Sequence, residues 1–221
     1  MCLLKLIYTA ETAGMRQNKE AVMKVIGLTG GTGSGKGMVS AFLAEKGLYI
    51  IDADKIAHKI ILKGEKAYEE LVEYFGEEIL DENGEIIRRK LGTIVFADGK
   101  EKLEFLNKCT HKHIYEKIEE EINFAKNENK KAAVIDAPLL IEGDFINLCQ
   151  KVWVVYADEN VRIKRIMARD SITEKQAKDR ISNQKSWEVY KSFADEIIDN
   201  SGDFEKTKYQ LENLLVSILG E

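Results

Sequence analysis

This 221-residue chain has few cysteines, no net positive charge and no long apolar run, and each of these shortages argues against a class of protein. The net charge of −5 gives no general basic character of the kind that tracks a nucleic-acid backbone, so no nucleic-acid partner is expected. No run approaches the roughly 18 apolar residues that a membrane-spanning helix requires. The chain is therefore expected to be soluble and to have no membrane partner.

The three cysteines are far apart and form no C-x-x-C pair: Cys2, Cys109 and Cys149. This usage argues against a disulfide framework and against a zinc site, and it favours a reducing cytoplasmic location. The histidines also lack a companion ligand at a firm spacing, so metal ligation is not expected of His58, His111 or His113.

Residues 1–22 precede the first predicted strand and do not resemble a secretion signal, because no basic segment comes before their short apolar patch. Lys19-Glu20-Ala21 can be encoded by a purine-rich stretch that resembles a bacterial ribosome-binding site, and Met23 follows closely. One hypothesis is that translation starts at Met23 and that residues 1–22 come from a misassigned start. The alternative is a genuine N-terminal tail.

A glycine-rich loop is the most informative segment of the chain. It follows a short apolar run, residues 25–28, which predicts a buried strand of a parallel sheet. Gly30, Gly35 and Lys36 satisfy the Walker A spacing G-x-x-x-x-G-K-[Ser/Thr], but Gly37 stands where the hydroxyl residue belongs. A helix is predicted next, and its N-terminus favours an anion. Strand, loop and helix together predict the binding of nucleotide phosphates, with Lys36 near the β- and γ-phosphates.

Strands and helices alternate along much of the chain, which predicts an α/β fold whose parallel sheet is covered by helices on both faces. Four further strands are expected near residues 48–51, 132–136, 151–156 and 197–198. Long charged amphipathic segments predict a mostly helical insertion over residues 55–129. We therefore expect one domain, residues 23–221, with a core formed by residues 23–54 and 130–221.

Three aspartates follow predicted strands, which is where ligands bind in open parallel sheets. Asp54 is the candidate catalytic base, because a kinase that phosphorylates a hydroxyl needs a carboxylate to accept its proton. Asp52 points the same way if the strand persists, and it is a candidate magnesium ligand or a helix cap. Asp136 is similar to a Walker B carboxylate, which reaches Mg²⁺ directly or through water.

Two arginines are candidates to close over transferring phosphates. Arg165 and Arg169 lie four residues apart on a predicted helix and therefore share one face. A phosphoryl-transfer site needs more positive charge than Lys36 supplies. The alternative is an ordinary solvated face of the helix.

From Met23 onwards the chain resembles the dephospho-coenzyme A kinase family. The resemblance rests on motifs spread over the whole domain: Ile26-Gly27-Leu28-Thr29-Gly30-Gly31, Gly33-Ser34-Gly35-Lys36, Ile51-Asp52-Ala53-Asp54, Phe75-Gly76, Asp136-Ala137-Pro138-Leu139-Leu140 with Glu142, Met167-Ala168-Arg169-Asp170, Gln184 and Ile198-Asp199-Asn200-Ser201-Gly202. The Asp-Ala-Asp and Asp-Asn-Ser-Gly motifs discriminate far better than the loop does.

The resemblance implies transfer of the γ-phosphate of ATP to the ribose 3′-hydroxyl of dephospho-coenzyme A, the last step of coenzyme A synthesis. It implies a P-loop NTPase-type core, an acceptor-binding helical insertion and a helical lid over about residues 165–190. ATP and Mg²⁺ are then the expected cofactors, and dephospho-coenzyme A is the expected acceptor.

The expected site residues fall into four groups. The catalytic residues are Asp54, Lys36 and Arg169. The ATP-binding residues are Gly31, Thr32, Gly33, Ser34, Gly35, Lys36, Gly37 and Met38. The acceptor-binding residues are Asp54, Arg165 and three positions carried over from the family, namely His58, Arg88 and His111. The magnesium ligands, acting through water, are Asp136 and Asp52.

Two positions depart from the family pattern. Gly37-Met38 stands where the family usually has Ser-Thr, and His111-Lys112 stands where it usually has His-Pro. The first departure removes a magnesium ligand but leaves nucleotide binding expected. Two alternatives stay open: another small-molecule kinase of this fold, such as a nucleoside or shikimate kinase, and a nucleotide-binding protein without catalysis.

Overall fold

The structure is a computed structural model that describes residues 23–97, 100–141 and 143–220. The hypothesis about residues 1–22 and the motif residue Glu142 lie outside these ranges. The strands are β1 Lys24–Thr29, β2 Tyr49–Asp52, β3 Ala132–Asp136, β4 Lys151–Tyr156 and β5 Glu196–Asp199. The helices are α1 Lys36–Glu45, α2 Ala53–Lys59, α3 Lys66–Phe75, α4 Arg88–Ala97, α5 Lys100–Asn127, α6 Glu159–Asp170, α7 Glu174–Ser182, α8 Trp187–Phe193 and α9 Phe204–Leu219. Short 3-10 helices occupy Glu77–Ile79 and Asp144–Leu148.

All five strands form one parallel sheet in the order β2-β3-β1-β4-β5, which confirms the predicted fold class. The strand β1 is central, with β3 on one side and β4 on the other. Every strand therefore ends at the same edge of the sheet, and the phosphate loop leaves the middle of that edge.

Alternating side chains of the strands enter two separate hydrophobic cores, because successive residues of a strand point to opposite faces. On one face Ile26 and Leu28 pack with Trp153 and with residues of α1 and α9. On the other face Val25 and Ile135 belong to a larger cluster that continues into α3, α4 and α5. The three central strands β1, β3 and β4 are buried on both sides, which explains their uninterrupted apolar residues, whereas the edge strands β2 and β5 are more exposed.

The helices α2 to α5 occupy most of residues 55–129 and share their core with the sheet. Leu71 of α3 and Ile118 of α5 are 0% exposed and lie in the same cluster as Val25 and Ile135. This segment therefore does not have a hydrophobic core of its own. None of the described helices is long and apolar enough to cross a membrane.

Candidate active site

The phosphate loop joins β1 to α1 and takes its shape from glycine. Gly35 is the residue before α1, and its φ of 89° lies in the left-handed region, which glycine adopts without strain. A Cβ atom at this position would also overlap the side-chain nitrogen of Asn200. Gly37 differs, since a Cβ there would meet nothing within 4 Å. The loop therefore needs glycine at residue 35, whereas residue 37 has room for a side chain.

Asn200, in the loop after β5, fixes the position of the phosphate loop through hydrogen bonds. Its Nδ2 donates to the carbonyl of Ser34 at 2.7 Å, and its Oδ1 accepts from Thr207 Oγ1 at 3.1 Å. Asn200 is 0% exposed, so both ends of a buried amide are satisfied. Arg165 of α6 adds to this support, because its guanidinium donates to the carbonyls of Ser34 at 3.3 Å and of Asn200 at 2.9 Å.

Arg162 and Gln184 hold the other end of the loop, at Thr32. Arg162 Nε donates to the Thr32 carbonyl at 2.8 Å, and the Thr32 amide donates to Gln184 Oε1 at 2.7 Å. Arg162 Nη2 also lies 3.3 Å from Gln184 Oε1. Desolvation lowers the pKa of Arg162 but leaves this guanidinium charged. The helix α6 and the segment after α7 are thus tied to the loop by hydrogen bonds.

A cavity of about 560 Å³ lies over the phosphate loop. Its lining contains all the residues predicted to bind ATP, together with Asp54 and residues from α6 and the segment after α7: Gly30, Gly31, Thr32, Gly33, Ser34, Gly35, Lys36, Gly37, Met38, Asp54, Pro138, Arg165, Ile166, Arg169 and Gln184. A concave site at the carboxyl edge of a parallel sheet is where this fold class binds its ligands.

Three carboxylates lie beside the loop because of the strand register. Asp52 of β2 pairs with Asp136 of β3, and Asp136 pairs with Leu28 of β1. The strand β2 ends at Asp52, so Asp54 lies in the first turn of α2 and not on an extended strand. Asp52 caps this helix, since its carboxylate accepts from the Lys55 amide at 2.9 Å. The cap that the sequence allowed for Asp52 is thus present.

The pKa of Asp54 is raised above the value of an ordinary aspartate. Partial removal of water is the main cause, and the Asp52 and Asp136 charges act in the same direction. The charge of Lys36 opposes this shift. Lys36 itself forms an ion pair with Asp136, and both side chains are mostly buried. An aspartate with a raised pKa beside a lysine at the carboxyl edge of the sheet has the properties of a general base.

A second cavity, of about 460 Å³, lies next to the first one. It is lined by Lys36, Asp52, Asp54, Lys55, His58, Lys59 and Asp136, so Lys36 and Asp54 belong to both cavities. His58 Nδ1 donates to the Asp54 carbonyl at 2.7 Å, and Arg88 Nη2 lies 3.4 Å from the His58 carbonyl. The expected acceptor residues His58 and Arg88 are therefore near Asp54.

His111 lies elsewhere, in a different cavity of about 560 Å³ whose wall includes Tyr115 and Asp144. Its ring packs edge-on against Phe145, with 5.9 Å between the ring centroids. Arg169 lines the cavity over the phosphate loop, and its Nε and Nη2 each donate to the Asp170 carboxylate at 2.8 Å. The structure thus gathers most of the expected residues at one site and leaves His111 outside the two cavities that meet at Asp54.

Sequence reasoning assigned no role to three residues that hold the loop. Gln184 and Asn200 appear in the motifs only as matching positions, and Arg162 belongs to none of the motifs. For Asn200, the position just after a strand was the signal of a functional role, because loops at that edge of the sheet carry function in this fold class.

Comparison with known proteins points to one family. A model of the family described as dephospho-CoA kinase matches residues 24–206. The dephospho-CoA kinase of Carboxydothermus hydrogenoformans is 42% identical over 194 residues, which is 88% of this chain and 94% of that protein. The dephospho-CoA kinase of Oceanobacillus iheyensis is 41% identical over 191 residues, which is 86% of this chain and 96% of that protein.

Solved structures agree with the sequence relatives. The crystal structure of TT1252 from Thermus thermophilus has a TM-score of 0.74 and 28% identity, and the match covers 89% of this chain and 98% of that one. Dephospho-CoA kinase from Campylobacter jejuni has a TM-score of 0.60 and 30% identity, with coverage of 90% and 99%. By these matches and by its phosphate loop with adjoining carboxylates, the chain belongs to the dephospho-CoA kinase family.

Proposed function

We propose that the chain transfers the γ-phosphate of ATP to the ribose 3′-hydroxyl of dephospho-CoA, giving CoA and ADP. The observation that carries this proposal is the shared boundary of two cavities at Lys36 and Asp54. ATP would fill the cavity over the phosphate loop, and the acceptor would fill the cavity over α2. A phosphoryl group and a hydroxyl would then meet beside a lysine and a carboxylate.

In this mechanism Asp54 orients the 3′-hydroxyl and accepts its proton. The hydroxyl oxygen forms a bond to the γ-phosphorus, and the bond from that phosphorus to the β,γ-bridging oxygen breaks. The electron pair leaves with ADP, and Lys36 stabilises the charge on the phosphate oxygens. To do so, its ammonium must share or exchange its contact with Asp136.

The side chains beside the loop suit a magnesium ion. Asp52 and Asp136 offer carboxylate oxygens at adjacent positions of neighbouring strands, which is the ligand type that Mg²⁺ prefers. When bound, Mg²⁺ would neutralise the β- and γ-phosphate oxygens. Gly37 offers no hydroxyl, so we propose that water completes the ligand set on that side of the loop.

The remaining expected residues receive narrower roles in this proposal. Arg165 acts by positioning the loop, since its guanidinium already holds backbone carbonyls. Arg169 reaches phosphate by exchanging its contact with Asp170. His58 and Arg88 contact the acceptor, and Lys59 supplies positive charge on the wall of the same cavity. The helical insertion, residues 55–129, is proposed to bind the acceptor, and His111 is proposed to support this insertion. Residues 165–190 serve as the lid.

We also propose a cytoplasmic location, since Cys109 and Cys149 are free thiols, as is usual in a reducing compartment.

The proposed reaction is tested by measuring ADP release with and without dephospho-CoA, and by following the mass of the acceptor. We expect ADP release to depend on dephospho-CoA and the acceptor to gain one phosphoryl group, whereas shikimate and free nucleosides give no signal above background. Asp54→Asn should lower kcat by about 10²- to 10⁴-fold, the usual contribution of a general base. Equal ADP release with and without dephospho-CoA would overturn the proposal.

A further inference from the structure

A cluster of potential metal ligands lies between α3 and α5. Cys109 and His113 are four residues apart on α5, so they share the face that packs on Glu70 of α3. One ligand atom from each residue lies within 4.8 Å of the other two. His113 Nε2 is 3.0 Å from Glu70 Oε1. Thiol, imidazole and carboxylate thus converge on one small volume.

Burial makes this cluster unusual for polar side chains. Cys109 is 3% exposed and His113 is 5% exposed, and Glu70 is partly buried beside them. None of these described residues lines the cavities assigned to ATP and the acceptor. The phosphoryl-transfer mechanism therefore does not account for the cluster.

Both ring nitrogens of His113 contact carboxylates. Nδ1 lies 3.1 Å from Glu116 Oε2 on the next turn of α5, and Nε2 is hydrogen-bonded to Glu70 Oε1 at 3.0 Å. Histidines that bind metal commonly donate their other N–H to a carboxylate, which fixes the ring orientation and directs the remaining nitrogen at the metal. Glu116 is placed for that part at Nδ1, and Nε2 would exchange its hydrogen bond with Glu70 for the metal.

We propose that Glu70, Cys109 and His113 form a Zn²⁺ site with one coordination position left for water. Thiolate, imidazole and carboxylate are the three ligand types that Zn²⁺ accepts, and three protein ligands with an open fourth position is a common arrangement. On binding, the Cys109 thiol releases its proton to the buffer and a sulfur–zinc bond forms. Glu70 and Cys109 come from different helices, so the ion would link α3 to α5.

Charge balance is compatible with a divalent ion at this position. Lys112 Nζ lies 2.9 Å from Glu70 Oε1, which adds one positive charge to the cluster. With Zn²⁺ bound, the ion and Lys112 together offset the Cys109 thiolate, Glu70 and Glu116. Three positive charges then face three negative ones, so these groups carry no net charge once the ion is bound.

Cobalt(II) substitution tests the proposal, because a thiolate bound to Co²⁺ gives a charge-transfer band in the near ultraviolet that oxygen ligands do not give. The full chain would carry Cys2→Ser, so that Cys109 and Cys149 are the remaining cysteines. After removal of metal with a chelator, we expect one equivalent of Co²⁺ to produce the band and Zn²⁺ to displace it. Mg²⁺ ligands such as Asp136 would not contribute to this signal.

Matched variants identify the ligands. Cys149→Ser in the same background should keep the band, whereas Cys109→Ser should lose it. Glu116→Gln keeps all three ligands and should weaken Co²⁺ binding by about 10- to 100-fold, the usual effect of a residue that orients a ligand. His113→Gln provides an independent test if Cys109→Ser does not fold, which circular dichroism would show. A band that survives both Cys109→Ser and His113→Gln, or no band in the Cys2→Ser protein, would overturn the proposal.

Discussion

The charge of Lys36 and desolvation act in opposite directions on the pKa of Asp54, and the net effect is a raised pKa. This pKa should set the acid limit of activity, the low pH at which kcat/KM falls. Desolvation and the charges of Asp52 and Asp136 favour the protonated carboxyl, whereas Lys36 favours the ionised form. Because the base must be ionised to accept a proton, we expect kcat/KM to fall as the pH drops through a pKa above the ordinary aspartate value of 3.8.

Asp52→Asn tests whether the charge of Asp52 helps to raise the pKa of Asp54. Asparagine caps a helix about as well as aspartate, so α2 should keep its start while one neighbouring negative charge is removed. The acid limit of kcat/KM should then move to lower pH. An acid limit that stays in place, measured with Mg²⁺ at saturation, would show that Asp52 does not influence the base.

A substitution at Gly37 should change how the protein binds Mg²⁺ without changing the rest of the phosphate loop. The position has open space around its Cα, so Gly37→Ser should fit without displacing a neighbour. We expect half-maximal activity at a lower Mg²⁺ concentration, because the hydroxyl restores a ligand that water now supplies. Titration of Mg²⁺ at fixed ATP measures this, and Gly37→Ala controls for the loss of glycine from the helix. Identical Mg²⁺ curves for the two variants would contradict the expectation.

At the scale of elements, the loop after β5 holds the phosphate loop through a single buried amide. Asn200→Ala removes its bond to the Ser34 carbonyl and its bond from Thr207 Oγ1, but the Ser34 carbonyl still accepts from Arg165. We therefore expect a loss of about 1 to 3 kcal/mol of stability, the net value of two hydrogen bonds, and a several-fold rise in the Kd for ATP.

Thr207→Val is the matched control for this prediction. It removes the hydroxyl that bonds Asn200 Oδ1 while the Ser34 bond remains. Denaturant unfolding should show a loss of stability for both variants, smaller for Thr207→Val, and ATP titration should respond mainly to Asn200→Ala. Equal effects on the Kd for ATP would mean that the support comes from the α9 end and not from the amide.

Local spacing and strand order explain which features the sequence predicted. The loop, the five strands and the place of Asp54 and Asp136 follow from glycine spacing and from the rule that parallel strands end at one edge. The bonds of Arg165 and Arg162 to the loop depend on how closely α6 approaches it, which no local pattern contains. Glu70 and Cys109 likewise meet only because α3 packs on α5.

At the scale of the whole molecule, the shared core predicts that residues 55–129 unfold together with the sheet. The two tryptophans report on opposite faces, since Trp153 lies in the cluster with α1 and α9, and Trp187 packs against the other cluster. A protein carrying Trp187→Phe would report unfolding through Trp153 alone.

In that background Ile118→Ala should lower the stability seen by Trp153 by about 2 to 5 kcal/mol, although Ile118 lies in α5 on the other face of the sheet. The reason is cooperativity: a cavity in one core weakens every region that unfolds in the same transition. Val216→Ala, at a side chain that is 55% exposed, should change stability by no more than about 0.5 kcal/mol. If Ile118→Ala shifts the far-ultraviolet circular dichroism transition but leaves the Trp153 transition in place, the helical segment unfolds separately and the molecule is not one cooperative unit.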